Sequence, residues 1–257
     1  GSDIINGGAG NDSIYGDDGV KAYESKGAEF EKDAIVFGEN SGLNNAVYKV
    51  AKSTSDNAGN DVISSGPGMD FVDGQQGDDS VIVELSGGSD VNYTNVVDTG
   101  DDGENNVLTI EGTELADDLL MRMNKDNSLG FVALLPDDSN NKNIERVNFT
   151  KGINVVNLNA NGGNDKITID GTAETTNVDA GAGDDTIQVG QLYNADMGVA
   201  NTETKVKNDD LFKTTKVTTD KGAKFLSEGV SEQSTLNIEG GIGKDTFVSL
   251  HNAGDVN

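Results

Sequence analysis

The stretch Gly7-Gly8-Ala9-Gly10-Asn11-Asp12-Ser13-Ile14-Tyr15 sets three glycines and one carboxylate at the spacing G-G-x-G-x-D-x-U-x, where U is a large apolar residue. Such a turn is suited to binding a hard cation. Glycines admit positive φ and let backbone carbonyls close on an ion, the aspartate supplies an anionic oxygen, and the apolar residue points into a narrow core. Degraded copies recur along the chain. With the Gly-x-Asp triplet as anchor, glycines stand at positions 1 and 10, then at 59, 68 and 77, nine apart within each run. Two such units make an 18-residue coil with one turn on each side. This register predicts that Asp3 stacks on Asp61, Asp12 on Asp70 and Asp61 on Asp79, each pair facing an ion. Candidate ligands in this part are therefore Asp3, Gly8, Gly10, Asp12, Gly59, Asp61, Gly68, Asp70, Gly77 and Asp79. Asp73 and Asp78 fall at variable positions and read as solvated.

Further along the period lengthens. Gly163-Asn164-Asp165 and Gly183-Asp184-Asp185 lie 20 residues apart, and Gly243-Lys244-Asp245 follows 60 later. Gly163, Asp165, Gly183, Asp185 and Asp245 join the candidate ligands, with Lys244 a competing cation beside the last. A weaker copy runs from Ile110-Glu111-Gly112 to Asp117-Asp118, with Ala116 in the anchor position. Around Asp90 and Asp102 the spacing drifts to 11 and 12, so those turns either hold ions or close the coil. Identical positions of a parallel coil repeat about every 4.8 Å, so stacked aspartates repel one another without a cation. Calcium takes 6–8 oxygens at about 2.3–2.6 Å, which two stacked turns can supply from carboxylates and carbonyls. Ion binding and folding are then expected to be one event.

The nonapeptide resembles the RTX (hemolysin-type) repeat, a calcium-binding repeat of parallel β-helices. The C-terminal part is similar to β-helical repeats of very large bacterial surface proteins. The resemblance implies a secreted or cell-surface bacterial protein binding several Ca2+ ions. Its implied role is that of an adhesin, surface-layer or sheath component, or else a calcium-dependent folding and export module of a secreted hydrolase or polysaccharide-modifying enzyme.

Composition agrees with a thin scaffold. The 257 residues include 34 glycines, no tryptophan and only 5% aromatics, too little for a thick core. With no cysteine, disulfides are excluded as staples and bound ions must serve instead. The net charge of −27 argues against nucleic acid or an anionic membrane as partner and for cations. No run of about 20 apolar residues occurs, so no helix is expected to span a bilayer.

These features predict an all-β fold, a parallel β-roll/β-helix solenoid with two inserted, mostly-β segments. The expected division is a β-roll over 1–106, interrupted at about 20–57, and a β-helix-like solenoid over 107–257. The second part carries a hairpin near 119–135 and an insertion at about 191–234. The insertions are nearly neutral, leaving almost all the negative charge on the solenoid. Residues 28–36 are the best helix candidate. Lys205, Lys207, Lys213, Lys216, Lys221 and Lys224 could dock an acidic neighbour, such as another copy of the chain, and a glycan is a further possible partner. Gly1 already stands in phase with the repeat, which suggests a mature product or a piece of a longer chain. No catalytic set is expected: His251 is the only histidine, a cysteine nucleophile is impossible, and the glycine clusters lead into aspartate turns rather than phosphate-binding helices.

Overall fold

The computed structural model describes residues 3–10, 12–16, 59–87, 93–100, 105–135, 144–197 and 212–257. Every regular element among them is a strand. The first insertion, the helix candidate at 28–36, Asp90, Asp102, Lys205 and Lys207 lie outside the described residues.

The chain winds back and forth between two sheets. The N-terminal coils pair β1 (Ile4–Asn6) with β2 (Ser13–Tyr15), β3 (Val62–Ser64) with β4 (Met69–Asp73), and β5 (Ser80–Glu84) with β6 (Tyr93–Val97). The next coil is β7 (Asn106–Glu111) and β8 (Asp118–Met123), followed by β9 (Leu129–Leu135) and β10 (Glu145–Thr150). Winding resumes with β11 (Ile153–Asn159) and β12 (Lys166–Ile169), then β13 (Thr175–Asp179) and β14 (Thr186–Val189). After β15 (Leu192–Tyr193), β16 (Thr214–Thr219) and β17 (Gly222–Ser227), the last coils are β18 (Thr235–Glu239), β19 (Thr246–Ser249) and β20 (Asp255–Val256). The first sheet has the order β1-β3-β5-β7-β11-β13-β18-β20 and is parallel throughout. The second has the order β2-β4-β6-β10-β9-β8-β12-β14-β19. The chain therefore forms the parallel two-sheet β-roll that the repeat predicts.

Alternation along each strand decides which side chains fill the gap between sheets. Val81, Leu108, Val156 and Leu236 stand in one register column of the first sheet and are almost fully buried. Leu119, Ile167 and Ile187 form the facing column of the second sheet, and Phe247 continues it at the last coil, 51% exposed where no further strand covers it. Each buried aliphatic side chain contributes about 1.5–3 kcal/mol. The core is one side chain deep from each sheet, so the turns must hold the coils in register.

β9 breaks the winding. It runs antiparallel between β8 and β10, so two steps of the first sheet, from β5 through β7 to β11, face four steps of the second. Leu134 and Val132 on β9 point into the core, while Phe131 points outward beneath the guanidinium of Arg146 at 3.6 Å from the ring centre. Gly130 faces the Met123 sulfur and the Phe149 ring with no room for a side chain.

The outward row of the first sheet carries an amide ladder. Asn157 Nδ2 donates to Thr109 Oγ1 (3.2 Å), Asn177 Nδ2 to Asn157 Oδ1 (2.8 Å), Asn237 Nδ2 to Asn177 Oδ1 (2.8 Å) and Asn257 Nδ2 to Asn237 Oδ1 (2.9 Å). Asn177→Ala removes two of these bonds and is expected to cost about 1–2 kcal/mol. A thermal midpoint unchanged from wild type would show that the ladder carries no load.

The small antiparallel sheet β15-β17-β16 belongs to the second insertion and is pinned to the outer face of the second sheet. Arg122 on β8 donates from Nη2 to Asp170 Oδ2 at 2.8 Å, and the Tyr193 hydroxyl and Gln191 Nε2 donate to the same oxygen at 2.7 and 2.9 Å. Phe212 stacks under the Arg122 guanidinium at 3.9 Å and meets Tyr193 edge-on at 5.1 Å. The Asp170 side chain is fully buried, and this arginine with its aromatic bracket makes that tolerable. Lys213 of the insertion pairs with Glu228 and Glu232, whereas Lys216 and Lys221 are exposed.

Candidate metal turns

Two columns of turns join the sheets, one at each edge of the roll. At the first edge the turn aspartates stack in coil order. The Asp12 amide donates to Asp70 Oδ1 at 2.9 Å, Asp117 to Asp165 at 2.8 Å, Asp165 to Asp185 at 2.8 Å and Asp185 to Asp245 at 3.2 Å. At the second edge the Asp3 amide donates to Asp61 Oδ1 at 2.7 Å, and Asp61 to Asp79 at 2.8 Å. Asp61, Asp70, Asp79, Asp165, Asp185 and Asp245 thus each use one carboxylate oxygen to hold an amide of the preceding coil. A second ladder runs beside the first: the Asp184 amide donates to Asn164 Oδ1, Lys244 to Asp184 Oδ1 and Asp78 to Asn60 Oδ1. Asn60, Asp78, Asn164 and Asp184, each preceding a turn aspartate, are therefore coil-to-coil acceptors, a role the variable type at this position concealed in the sequence.

Glycines bring the backbone equally close. A Cβ on Gly183, whose φ is 154°, would overlap the Gly163 carbonyl oxygen, and one on Gly68 would overlap that of Gly10. At the other edge Gly77 stands in the same way over the Gly59 carbonyl oxygen. Carbonyl oxygens and carboxylates of adjacent coils accordingly converge on the same turns.

The second carboxylate oxygen tests whether these turns fit a cation. Oδ2 of Asp12, Asp70, Asp165 and Asp185 is buried and meets no hydrogen-bond donor. A desolvated carboxylate oxygen with no partner is costly. Burial accordingly pushes the Asp165 carboxyl up to about 6, against the Asp117 amide bond that lowers it, and raises Asp70 above the ordinary range. A hard cation answers this orphaned oxygen, and a cradle of carboxylates and carbonyls suits calcium's large, flexible shell better than magnesium's strict octahedron. No group of three or more acidic or histidine side chains converges among the described residues, so backbone carbonyls would complete any shell.

The candidates divide by position. Asp12, Asp61, Asp70, Asp79, Asp165 and Asp185 stand in stacked turns together with Gly8, Gly10, Gly59, Gly68, Gly77, Gly163 and Gly183. Asp3 and Asp245 occupy the outermost turns and are exposed. Asp73, expected to be solvated, is instead buried, because Thr99 donates from its amide to Oδ1 (3.1 Å) and from its hydroxyl to Oδ2 (2.8 Å), while the Gln75 amide also donates to Oδ1. Burial raises its carboxyl to about 6. Asp78 is exposed. Asn106 and Asn154 continue the second ladder without having been singled out by any glycine pattern, whereas Asp117 falls in the weaker copy one residue from the expected register, because Leu115 rather than Ala116 stands against Gly163. His251 is half-buried, with Nδ1 3.2 Å from the Glu228 carbonyl oxygen. No helix among the described residues is long and apolar enough to cross a membrane.

The family model for the RTX calcium-binding nonapeptide repeat, in four copies, matches residues 1–20, 55–81 and 170–191. No curated protein and no solved structure matches the chain.

Proposed function

We propose that this chain, which carries RTX calcium-binding nonapeptide repeats, is a non-catalytic, calcium-rigidified segment of a secreted or surface-attached bacterial protein such as an adhesin, surface layer or sheath. The observation that carries this reading is the row of buried, donor-free carboxylate oxygens in stacked turns. Asp12 with Asp70, and Asp165 with Asp185, would hold calcium together with the carbonyls of the turn glycines. Calcium there neutralises the stacked carboxylates and ties successive coils. The protein supplies the rest: amide-to-carboxylate bonds set the register, and the one-deep apolar columns keep water from the strands.

Extracellular calcium modules bind at about 10⁻⁴–10⁻³ M, so such a chain would stay loosely folded in a cytosol and tighten after export. The absence of cysteine and the charge of −27 suit an exported scaffold cross-linked by ions.

Calorimetric titration of the chelated chain with calcium, followed in parallel by far-ultraviolet circular dichroism, tests the proposal. Several ions per chain are expected, with a rise in β signal that magnesium does not reproduce. A chelated chain that is fully folded and takes up no calcium would overturn it.

A further inference from the structure

The turn columns are not uniform, and they change character at one coil. At the second edge the ladder runs Asp3, Asp61, Asp79, and then continues through asparagines: the Asp79 amide donates to Asn106 Oδ1 at 2.8 Å, and the Asn106 amide to Asn154 Oδ1 at 3.0 Å. Asn106 is 2% exposed. Where an aspartate would present a second oxygen, it presents Nδ2, which donates to the Gly152 carbonyl oxygen at 3.3 Å. An N–H group offers a cation no lone pair, and here it occupies the carbonyl that an ion would seek.

The same coil is altered at the first edge. Asp117 keeps the ladder bond to Asp165, but both its carboxylate oxygens are taken within its own turn. The Thr113 amide donates to Oδ2 at 2.8 Å and the Thr113 hydroxyl to Oδ1 at 2.9 Å. That hydroxyl also lies 3.3 Å from the Leu115 carbonyl oxygen. In the next two coils Oδ2 of Asp165 and Asp185 has no donor at all. Two different chemistries, an asparagine amide at one edge and a threonine at the other, thus fill the same role in one coil.

We infer that the coil formed by β7 and β8 is a calcium-free joint, in which side-chain hydrogen-bond donors replace the ion at both edges, between two calcium-stapled blocks. Beyond the joint the described turns of the second edge carry no stacked aspartates. The Thr172 amide donates to Ser231 Oγ at 3.0 Å, the Ser231 amide returns a bond to Thr172 Oγ1 at 3.1 Å, and Arg122 neutralises Asp170. Calcium would therefore tie the N-terminal coils at both edges and the C-terminal coils at one. The inference rests on the calcium reading above and deepens it.

Asn106→Asp in the full chain is the test, with calcium alone as the titrant. The carboxylate loses the bond to Gly152 and faces that carbonyl oxygen with like charge, which only a cation relieves. About one more calcium ion per chain than wild type is expected by calorimetry, with a lower thermal midpoint in chelator that calcium restores. Wild-type stoichiometry in a folded Asn106→Asp protein would overturn the joint while leaving the calcium reading intact. A wild-type chain that binds no calcium would remove both.

Hydrogen exchange on the wild-type chain gives a second readout should the variant not fold. As calcium is withdrawn, the amides of Asn106, Thr113 and Asp117 should stay protected after those of Asp3, Asp61 and Asp12 have lost protection. Simultaneous loss at all of these amides would show that the coil depends on calcium like its neighbours and would overturn the proposal.

Discussion

In chelator, the folded chain is expected to be more stable near pH 4.5 than at pH 7.5, and saturating calcium should narrow that difference. The sign follows from where the buried carboxylates titrate. Asp165 and Asp73 release their protons at about 6 in the folded chain, against an unfolded value near 3.8. Between those limits the folded state holds more protons than the unfolded one. Stability therefore falls as pH rises through the window and stays at the lower level above it. At about 1.4 kcal/mol for each pH unit separating the two titrations, the effect is on the order of 2–3 kcal/mol for one such group and smaller wherever water reaches the turn. Calcium cancels the dependence at Asp165, since it binds the ionised carboxylate and releases a proton. Its apparent affinity should fall as pH drops below about 6, by up to tenfold per unit for each proton displaced. Asp73 keeps its own fall in stability with rising pH, because Thr99 and Gln75 already occupy its oxygens. Denaturant midpoints at the two pH values, with and without calcium, check the scheme. Equal midpoints in chelator would mean that these carboxylates are solvated and that the turns are not cation cradles.

The roll and its N-terminal register were legible because the period encodes them. Spacings of nine and 18 place Asp61 against Asp79, and the 20-residue spacing places Asp165 against Asp185; both pairs are joined by amide-to-carboxylate bonds. An inserted segment does not disturb this, because a solenoid resumes wherever the next strand can add to the sheet edge, as β3 does on β1. Three features were hidden for distinct reasons. The alternation in Leu129–Leu135 and the turn before it mark a hairpin with β8 but carry no information on the other neighbour of β9, so its antiparallel pairing with β10 could not be read from them. Asn106 makes the same backbone contact as an aspartate and stands 27 residues after Asp79, in phase with the nine-residue period, yet no Gly-x-Asp triplet marks it and its coil is longer than 18 residues. Arg122 and Asp170 are 48 residues apart in sequence and carry no motif; only the docking of Phe212 and Tyr193 makes them a pair. In each case the missing information is a long-range contact that no local motif marks.

Replacing Gly183 with alanine is expected to destabilise the chain by about 3 kcal/mol or more, the sum of backbone strain and steric displacement. Its φ of 154° is one that L side chains rarely adopt, and a Cβ there would collide with the Gly163 carbonyl oxygen and come within 3.1 Å of Asn164 Oδ1. The colliding atom is backbone, so it cannot rotate aside. Relief requires the turn at 180–185 to lift away from the turn below it. That movement stretches the Gly163-to-Ala182 and Ala182-to-Asn161 amide bonds, now 2.9 and 2.8 Å, and the Asp165-to-Asp185 bond with them. For a chain of this size such a loss lowers the thermal midpoint by roughly 6–12 °C. Calcium affinity should fall in parallel, since the displaced carbonyl and carboxylates are the groups that would hold the ion. Gly222→Ala separates strain from collision: its φ is 105°, but nothing lies within 4 Å of the added carbon, so only the smaller strain cost of about 1–3 kcal/mol should appear, with calcium binding unchanged. If Gly183→Ala were no worse than Gly222→Ala and bound calcium as tightly as wild type, adjacent turns would not be in the contact described, and the stacked cradle would have to be abandoned.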